Sequence, residues 1–253
     1  MVEDYFRHIY PLPSYAFFHK TSVIQRCIEG TMEESLSLAI CAITALHLKY
    51  DKFFPAQSSR WVQKAEDTIL QNLEHPSIFK LQAFLLIIRY RIEVGQFSRA
   101  FMLAALVSRS AFALRLNYER PNLCFLAQEI RRRLMWSFIV DGHFSVGLSE
   151  FELCPQEIIY LQLPCTEEAF ENEIPTKTGP LRSASLDDSV SFGLYSLCVR
   201  LTAIRRDIMK QVLSGHDSKG TLICSRLSRR ILSSDHALPT LPESIREFEK
   251  ELQ

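Results

Sequence analysis

The sequence carries no surplus of either charge: 29 lysines and arginines face 29 aspartates and glutamates across 253 residues. With no global basic field, nothing draws the whole chain to a phosphate polymer or an anionic membrane, and any nucleic-acid contact has to be local. Closely spaced cysteines are also missing. The seven present, at positions 27, 41, 124, 154, 165, 198 and 224, are odd in number and include no C-x-x-C pair. That argues against a disulfide framework or a structural zinc site and fits a reducing, intracellular compartment. Apolar runs stay short, since Leu36 to Leu48 is interrupted by His47 and Leu81 to Ile92 by Arg89, which leaves neither long enough to span a membrane. The opening MVEDYFRHIYPLP has no basic flank before an apolar stretch and so is no signal peptide. No segment alternates convincingly with period two, and no strict repeat recurs.

What the sequence does have is 47% hydrophobic and 23% charged residues, enough for a sizeable core in one large domain or two small ones. Its periodicity is helical. Thr31 with Glu34 reads as a capping box ahead of SLSLAICAITALHL, which is apolar on nearly every side and so belongs at the centre. Residues 59 to 73 place Val62, Ala65, Ile69 and Leu73 on one helical face and leave Lys64, Glu66, Asp67 and Gln71 for solvent. Ser77 caps a buried helix through KLQAFLLIIRYRIEV, which Gly95 ends in a left-handed turn. Ser98 opens the next, where Ala100, Ala104 and Ala111 allow close approach to a neighbour. Short links predict antiparallel packing of adjacent helices. A fifth helix runs from about Asn122 to Val146.

Beyond it the pattern loosens. Residues 171 to 189 are polar and rich in Pro, Ser and Thr, and read as a mobile loop. Helical spacing returns at Leu194, Leu197, Leu201, Ile204, Ile208 and Val212, and a last amphipathic piece sets Ile245, Phe248 and Leu252 on one face. The expected fold class is all-α, a multi-helix antiparallel domain with no sheet. Its expected organisation is a helical core at 1–170, the loop at 171–189, and a helical continuation at 190–253 that looks truncated within a helix.

One stretch, EIRRRLMWSFIVD from Glu129 to Asp141, poses the main question, because three consecutive arginines suit either a nucleic-acid grip or a folded core. At about 100° per residue, Arg131, Arg132 and Arg133 fan over about 200° of a helix and cannot line one groove. Ile130, Leu134 and Phe138 form the expected buried stripe, with Asp141 on the same side, where a carboxylate needs a partner. The arginines flank that stripe, their stems covering apolar surface while their guanidinium groups reach carboxylates, including Glu129 one turn back.

RRRLMWSFIVD resembles the signature helix of the regulatory domain of fungal zinc-cluster transcription factors, often called the fungal-specific or xylanolytic-activator regulatory domain. YFRHIYPLPSYAFFHK at 5–20 is similar to the opening of that family, and LQAFLLIIRYRIEVGQFSRAFMLAALVSRSAFALRLNYE to its central helices. Leu163-Pro164 and Phe170 resemble the Leu-Pro pair and the aromatic residue that come after the signature helix in that family. The matching signature positions are Arg131, Arg132, Arg133, Trp136 and Asp141. The chain departs from the pattern in two places: Gly142-His143 stands where the family commonly has an arginine, and Gly147-Leu148-Ser149 where it often has Gly-Arg-Pro. The resemblance implies a nuclear regulatory domain that lies C-terminal to a zinc cluster and controls transcription. Its implied partners are co-regulators, the rest of the same factor, or a small-molecule inducer. Nothing here matches the six closely spaced cysteines that hold zinc in that family, so no cofactor is expected in this chain, and DNA only through a cluster outside it.

Rival chemistries are weakly supported. LDDSV at 186–190 resembles an Asp-rich magnesium motif of an α-helical enzyme, but Ser191 stands where a third acid is needed, leaving Asp187 and Asp188 as helix caps. GLSEF at 147–151 has Phe151 where a nucleophile elbow needs glycine, which makes Ser149 a turn residue. His216-Asp217 has no partner at metal-ligand spacing. Arg226, Arg229 and Arg230 share one helical face and are the best local anion-binding candidates, against the default of a solvated basic face. No catalytic or metal residue is assigned. The alternative to a transcriptional regulator is a free-standing helical scaffold for a protein partner.

Overall fold

A computed structural model of the chain describes residues 1–50, 56–140, 153–181 and 193–214. Among these are nine α-helices: α1 (Val2–His8), α2 (Lys20–Ile28), α3 (Glu34–His47), α4 (Gln57–Leu70), α5 (Ile78–Glu93), α6 (Phe97–Ala113), α7 (Phe125–Val140), α8 (Glu167–Glu171) and α9 (Leu194–Ser214). The described residues contain no strand, only two isolated bridges, Tyr118 with Tyr160 and Gln162 with Pro180. The all-α class read from the sequence is the fold.

Helix α3 packs against α1, α4 and α5, and α5 in turn against α6. The central place expected for α3 follows from its girth: Leu36, Ala39, Ile40, Ala42 and Ile43 are all buried. In α5 every residue from Leu81 to Arg91 is buried, Arg89 included, whose guanidinium lies 4.5 Å over the Tyr15 ring. The Ser77 hydroxyl caps α5 by accepting the Lys80 N–H at 3.1 Å. Gly95, at φ +80°, ends it. The Gly95 N–H bonds the Ile92 carbonyl and the Gln96 N–H the Arg91 carbonyl, the paired bonds that close a helix C-terminus through a left-handed residue. Three linking residues later α6 lays buried Ala100, Ala104 and Ala111 toward the core.

Several expectations are corrected. The Thr31–Glu34 capping box does not form: α3 begins at Glu34 with Glu33 at its cap position and no side-chain cap bond. Thr31 instead completes the end of α2, its N–H donating to the Arg26 carbonyl at 3.0 Å beyond Gly30 at φ +66°. Helix α6 starts at Phe97 rather than at Ser98 and has no side-chain cap. Glu66, expected in solvent, is only 1% exposed, because α5 and α6 bring Arg91 and Arg99 onto it. Ile130 and Phe138 are only partly buried; the innermost side chains of α7 are Glu129, Arg133, Leu134, Met135, Trp136 and Ser137.

The chain after α7 folds back on this body. The Leu163 N–H donates to the Gly179 carbonyl at 2.9 Å and Thr178 donates to the Leu163 carbonyl, which ties the described part of the expected loop, 171–181, to the stretch before α8. Residues 182–189 lie outside the described residues. Helix α9 packs on α7. Its inward residues are Tyr195, Ser196, Val199, Ala203 and Arg206, whereas Leu194, Leu197, Leu201, Ile204 and Ile208 are between 44% and 66% exposed. The helical spacing of those five identifies the helix, yet the apolar stripe they form faces solvent.

Burial also sorts the cysteines. It pushes the Cys154 thiol up to about 12, and burial with the neighbouring Glu129 carboxylate pushes Cys165 up to about 12 as well, whereas Cys27 and Cys124 are exposed. Near neutral pH an alkylating reagent is therefore expected to label Cys27 and Cys124 in the folded chain and to reach Cys154 and Cys165 only on unfolding. Peptide mass mapping over time checks this, and labelling of Cys154 as fast as Cys27 would contradict the packing.

Candidate functional site

The α7 arginines sit where three parts of the chain meet. Arg133 is fully buried, and every nitrogen of its guanidinium group has a partner. Its Nε donates to Glu129 Oε1 one turn back at 3.2 Å. Nη1 donates to the Ala16 carbonyl at 3.0 Å and to Glu167 Oε1 at 2.6 Å, and Nη2 to the Cys165 carbonyl at 3.0 Å. The guanidinium plane lies 4.0 Å from the Phe170 ring centre. Tyr195 of α9 donates to the Arg133 carbonyl at 2.8 Å. One residue thereby joins the N-terminal segment, α7, α8 and α9. Burial alone would lower the Arg133 pKa, but the facing carboxylates of Glu167 and Glu129 and the Tyr10 hydroxyl outweigh it and hold the group charged.

Arg132 is fixed equally closely. Its Nε and Nη2 clasp both oxygens of Glu119 at 2.8 and 3.0 Å, and Nη1 reaches Glu129 at 3.3 Å. Glu119 Oε1 also accepts the Gln162 N–H, and Trp136 donates from its indole nitrogen to the Gln162 carbonyl at 2.8 Å. Glu129, wholly buried, accepts the Cys165 N–H at 2.8 Å besides its two arginines. Arg131, half-buried, donates from Nη2 to the Leu114 and Arg115 carbonyls at the end of α6. The three arginines thus reach inward in three directions. Arg132 and Arg133 are occupied by protein carboxylates and carbonyls, so neither offers a fork to a nucleic-acid phosphate.

Beside this hub, α2, α3, α5 and α7 line a half-open cavity of about 340 Å³. Val23, Leu36, Phe79 and Ile130 supply apolar wall, and Arg26, Glu33 and Arg131 the charges. The guanidinium of Arg26 lies 4.7 Å over the Phe79 ring. Buried His19 stands at the same wall, its Nδ1 accepting the Ser22 N–H at 3.3 Å.

Of the signature positions, Arg131, Arg132, Arg133 and Trp136 are brought together; Asp141 lies outside the described residues, as do Asp187, Asp188, Arg226, Arg229, Arg230 and His216. Among the described residues no group of three or more His, Cys, Asp or Glu side chains is placed to hold a metal ion, and no helix is long and apolar enough to cross a membrane.

A family profile described as fungal specific transcription factor domain matches residues 2–252. The chain belongs to that family. Among curated relatives, the domain is 27% identical over 195 residues to the Zn(2)-C6 fungal-type transcription factor FTF1c of Fusarium oxysporum f. sp. lycopersici, an alignment covering 70% of this chain and 21% of the relative. It is 24% identical over 203 residues to an uncharacterised transcriptional regulatory protein of Schizosaccharomyces pombe, covering 74% of this chain and 20% of that protein. Aligned against the Fusarium factor FTF2, it is 27% identical over 183 residues, covering 65% of the chain and 17% of the factor. The domain thus spans about a fifth of the length of the relatives it matches. No solved structure matches it.

The geometry supplies the chemistry of the arginine run. The Glu129 contact was visible one turn back in the sequence. Glu119, Glu167 and Ala16 were not, because they reach the arginines from 13, 34 and 117 residues away. The cavity was equally hidden, being walled by four helices.

Proposed function

We propose that this chain is the regulatory region of a fungal zinc-cluster transcription factor, acting in the nucleus without enzymatic activity and without touching DNA itself. The observation that carries this reading is the two-sidedness of α9. Its inner face is held by the buried Tyr195, which donates to the Arg133 carbonyl, while its outer face offers Leu194, Leu197, Leu201, Ile204 and Ile208 at helical spacing. A partner helix from a co-regulator or from the rest of the factor fits such a stripe. Regulation then works by shifting α9 between packed and released states, and an inducer acts only by preferring one of them. Family membership and the transcription factors among the relatives support the role, and the inward commitment of Arg132 and Arg133 supports leaving DNA to a zinc cluster elsewhere.

The test is to fuse the chain to a heterologous DNA-binding domain in a fungal cell and read a reporter gene. The chain is expected to raise or lower output relative to the DNA-binding domain alone. Leu201→Glu with Ile204→Glu is expected to abolish that effect while changing stability by only about 0.5 kcal/mol, since both side chains already face water. A reporter indifferent to the fused chain would instead favour a helical scaffold with no link to transcription.

A further inference from the structure

We propose that the cavity between α2, α3, α5 and α7 binds a medium-sized organic acid, with its carboxylate at Arg131 and Arg26 and its apolar body among Val23, Leu36, Phe79 and Ile130. This deepens the regulatory reading, on which the ligand's role as an inducer rests; the binding itself rests on the cavity alone. At about 340 Å³ the space falls within the range of sites for small organic molecules. Its wall is mostly apolar, so a fully hydrophilic anion such as inorganic phosphate would leave much of it uncovered, while an acyl or aryl group would fill it. Two arginines against the single carboxylate of Glu33 make the cavity favour an anion over a cation or a neutral molecule.

Arg131 adds a sharper indication. Its Nη2 is taken up by the Leu114 and Arg115 carbonyls, yet its Nε is buried with no acceptor among the described residues. That nitrogen has no accessible surface and does not open on the cavity, so what Arg131 offers a carboxylate there is the positive charge of a residue that lines it. Burial, together with the like charge of Arg120, pushes the Arg131 pKa below its usual value, so an anion at this position relieves an electrostatic penalty as well. Arg26, exposed in the last turn of α2 and stacked on Phe79, lines the same cavity.

The experiment is calorimetric titration of the full chain with octanoate, and with octanol and octylammonium as neutral and cationic counterparts. Octanoate is expected to bind saturably and about tenfold or more tightly than octanol, the difference one charge-assisted hydrogen bond makes. Ala127 of α7 also lines the cavity, and Ala127→Trp, which fills it, is expected to abolish binding of both. Arg131→Met is expected to remove the preference for octanoate and leave octanol unchanged; because Arg131 also caps α6, Arg26→Met serves as a second variant with the same expectation in weaker form. Equal affinity for octanoate and octanol, or binding that survives Ala127→Trp, would overturn the proposal. Binding is read on the chain alone, so its failure counts against the cavity, while the reporter fusion judges the regulatory reading separately.

Discussion

Arg133→Ala is expected to destabilise the domain by about 3–5 kcal/mol, the range for breaking a buried ion pair from one side. The loss is so large because the arginine's partners remain. Glu129 stays wholly buried with only Arg132 and the Cys165 N–H to satisfy it, and the Ala16 and Cys165 carbonyls lose their donor. Against a total stability of about 5–15 kcal/mol, such a loss removes about a fifth or more of what keeps a domain folded. Arg133→Lys is expected to recover little, since a single ammonium cannot reproduce a fork that serves four acceptors in different directions. Urea unfolding measures both variants, and a loss below about 1 kcal/mol, the range for exposed pairs, would contradict the burial assigned to the hub.

Glu66→Ala is the second large effect. Arg91 grips Glu66 Oε2 through Nε at 3.0 Å and Nη2 at 2.7 Å, and both side chains are almost wholly buried. Arg99 reaches the other oxygen at 2.6 Å but is 46% exposed. Removing the carboxylate leaves the Arg91 charge in the interior with only Gln63 and Gln96 as acceptors, an expected cost of about 3 kcal/mol. Arg99→Ala, by contrast, is expected to cost about 1 kcal/mol or less, because the lost partner was half in water. Unfolding curves for the two variants separate these effects, and the reverse order would refute the description of how α4, α5 and α6 are joined.

These two sites mark where sequence reading stops. Helices α3, α5 and α6 were legible because their apolar residues recur over three turns or more and Ser77 and Gly95 punctuate them. Helices α1, α2 and α8, at seven, nine and five residues, are too short for periodicity to register. Glu66 was misplaced because a helical wheel sees one helix, whereas its burial is decided by arginines 25 and 33 residues on. The α9 stripe has the right spacing and the opposite exposure: Tyr195, Ser196 and Arg206 turn inward because Arg133, Pro164 and Cys154 offer them backbone carbonyls. The polar side of that helix belongs to the core, which hydrophobic patterning alone does not reveal.

The most direct measurement of whether the arginine run is an internal clamp is a double-mutant cycle joining Arg133→Met with Glu129→Gln, followed by urea unfolding. A shared buried contact predicts a coupling of about 2 kcal/mol or more, the double variant being far less damaged than the sum of the singles. Additivity within about 0.5 kcal/mol would mean that the two charges do not hold each other, and the account of α7 as the clamp of this domain would be wrong.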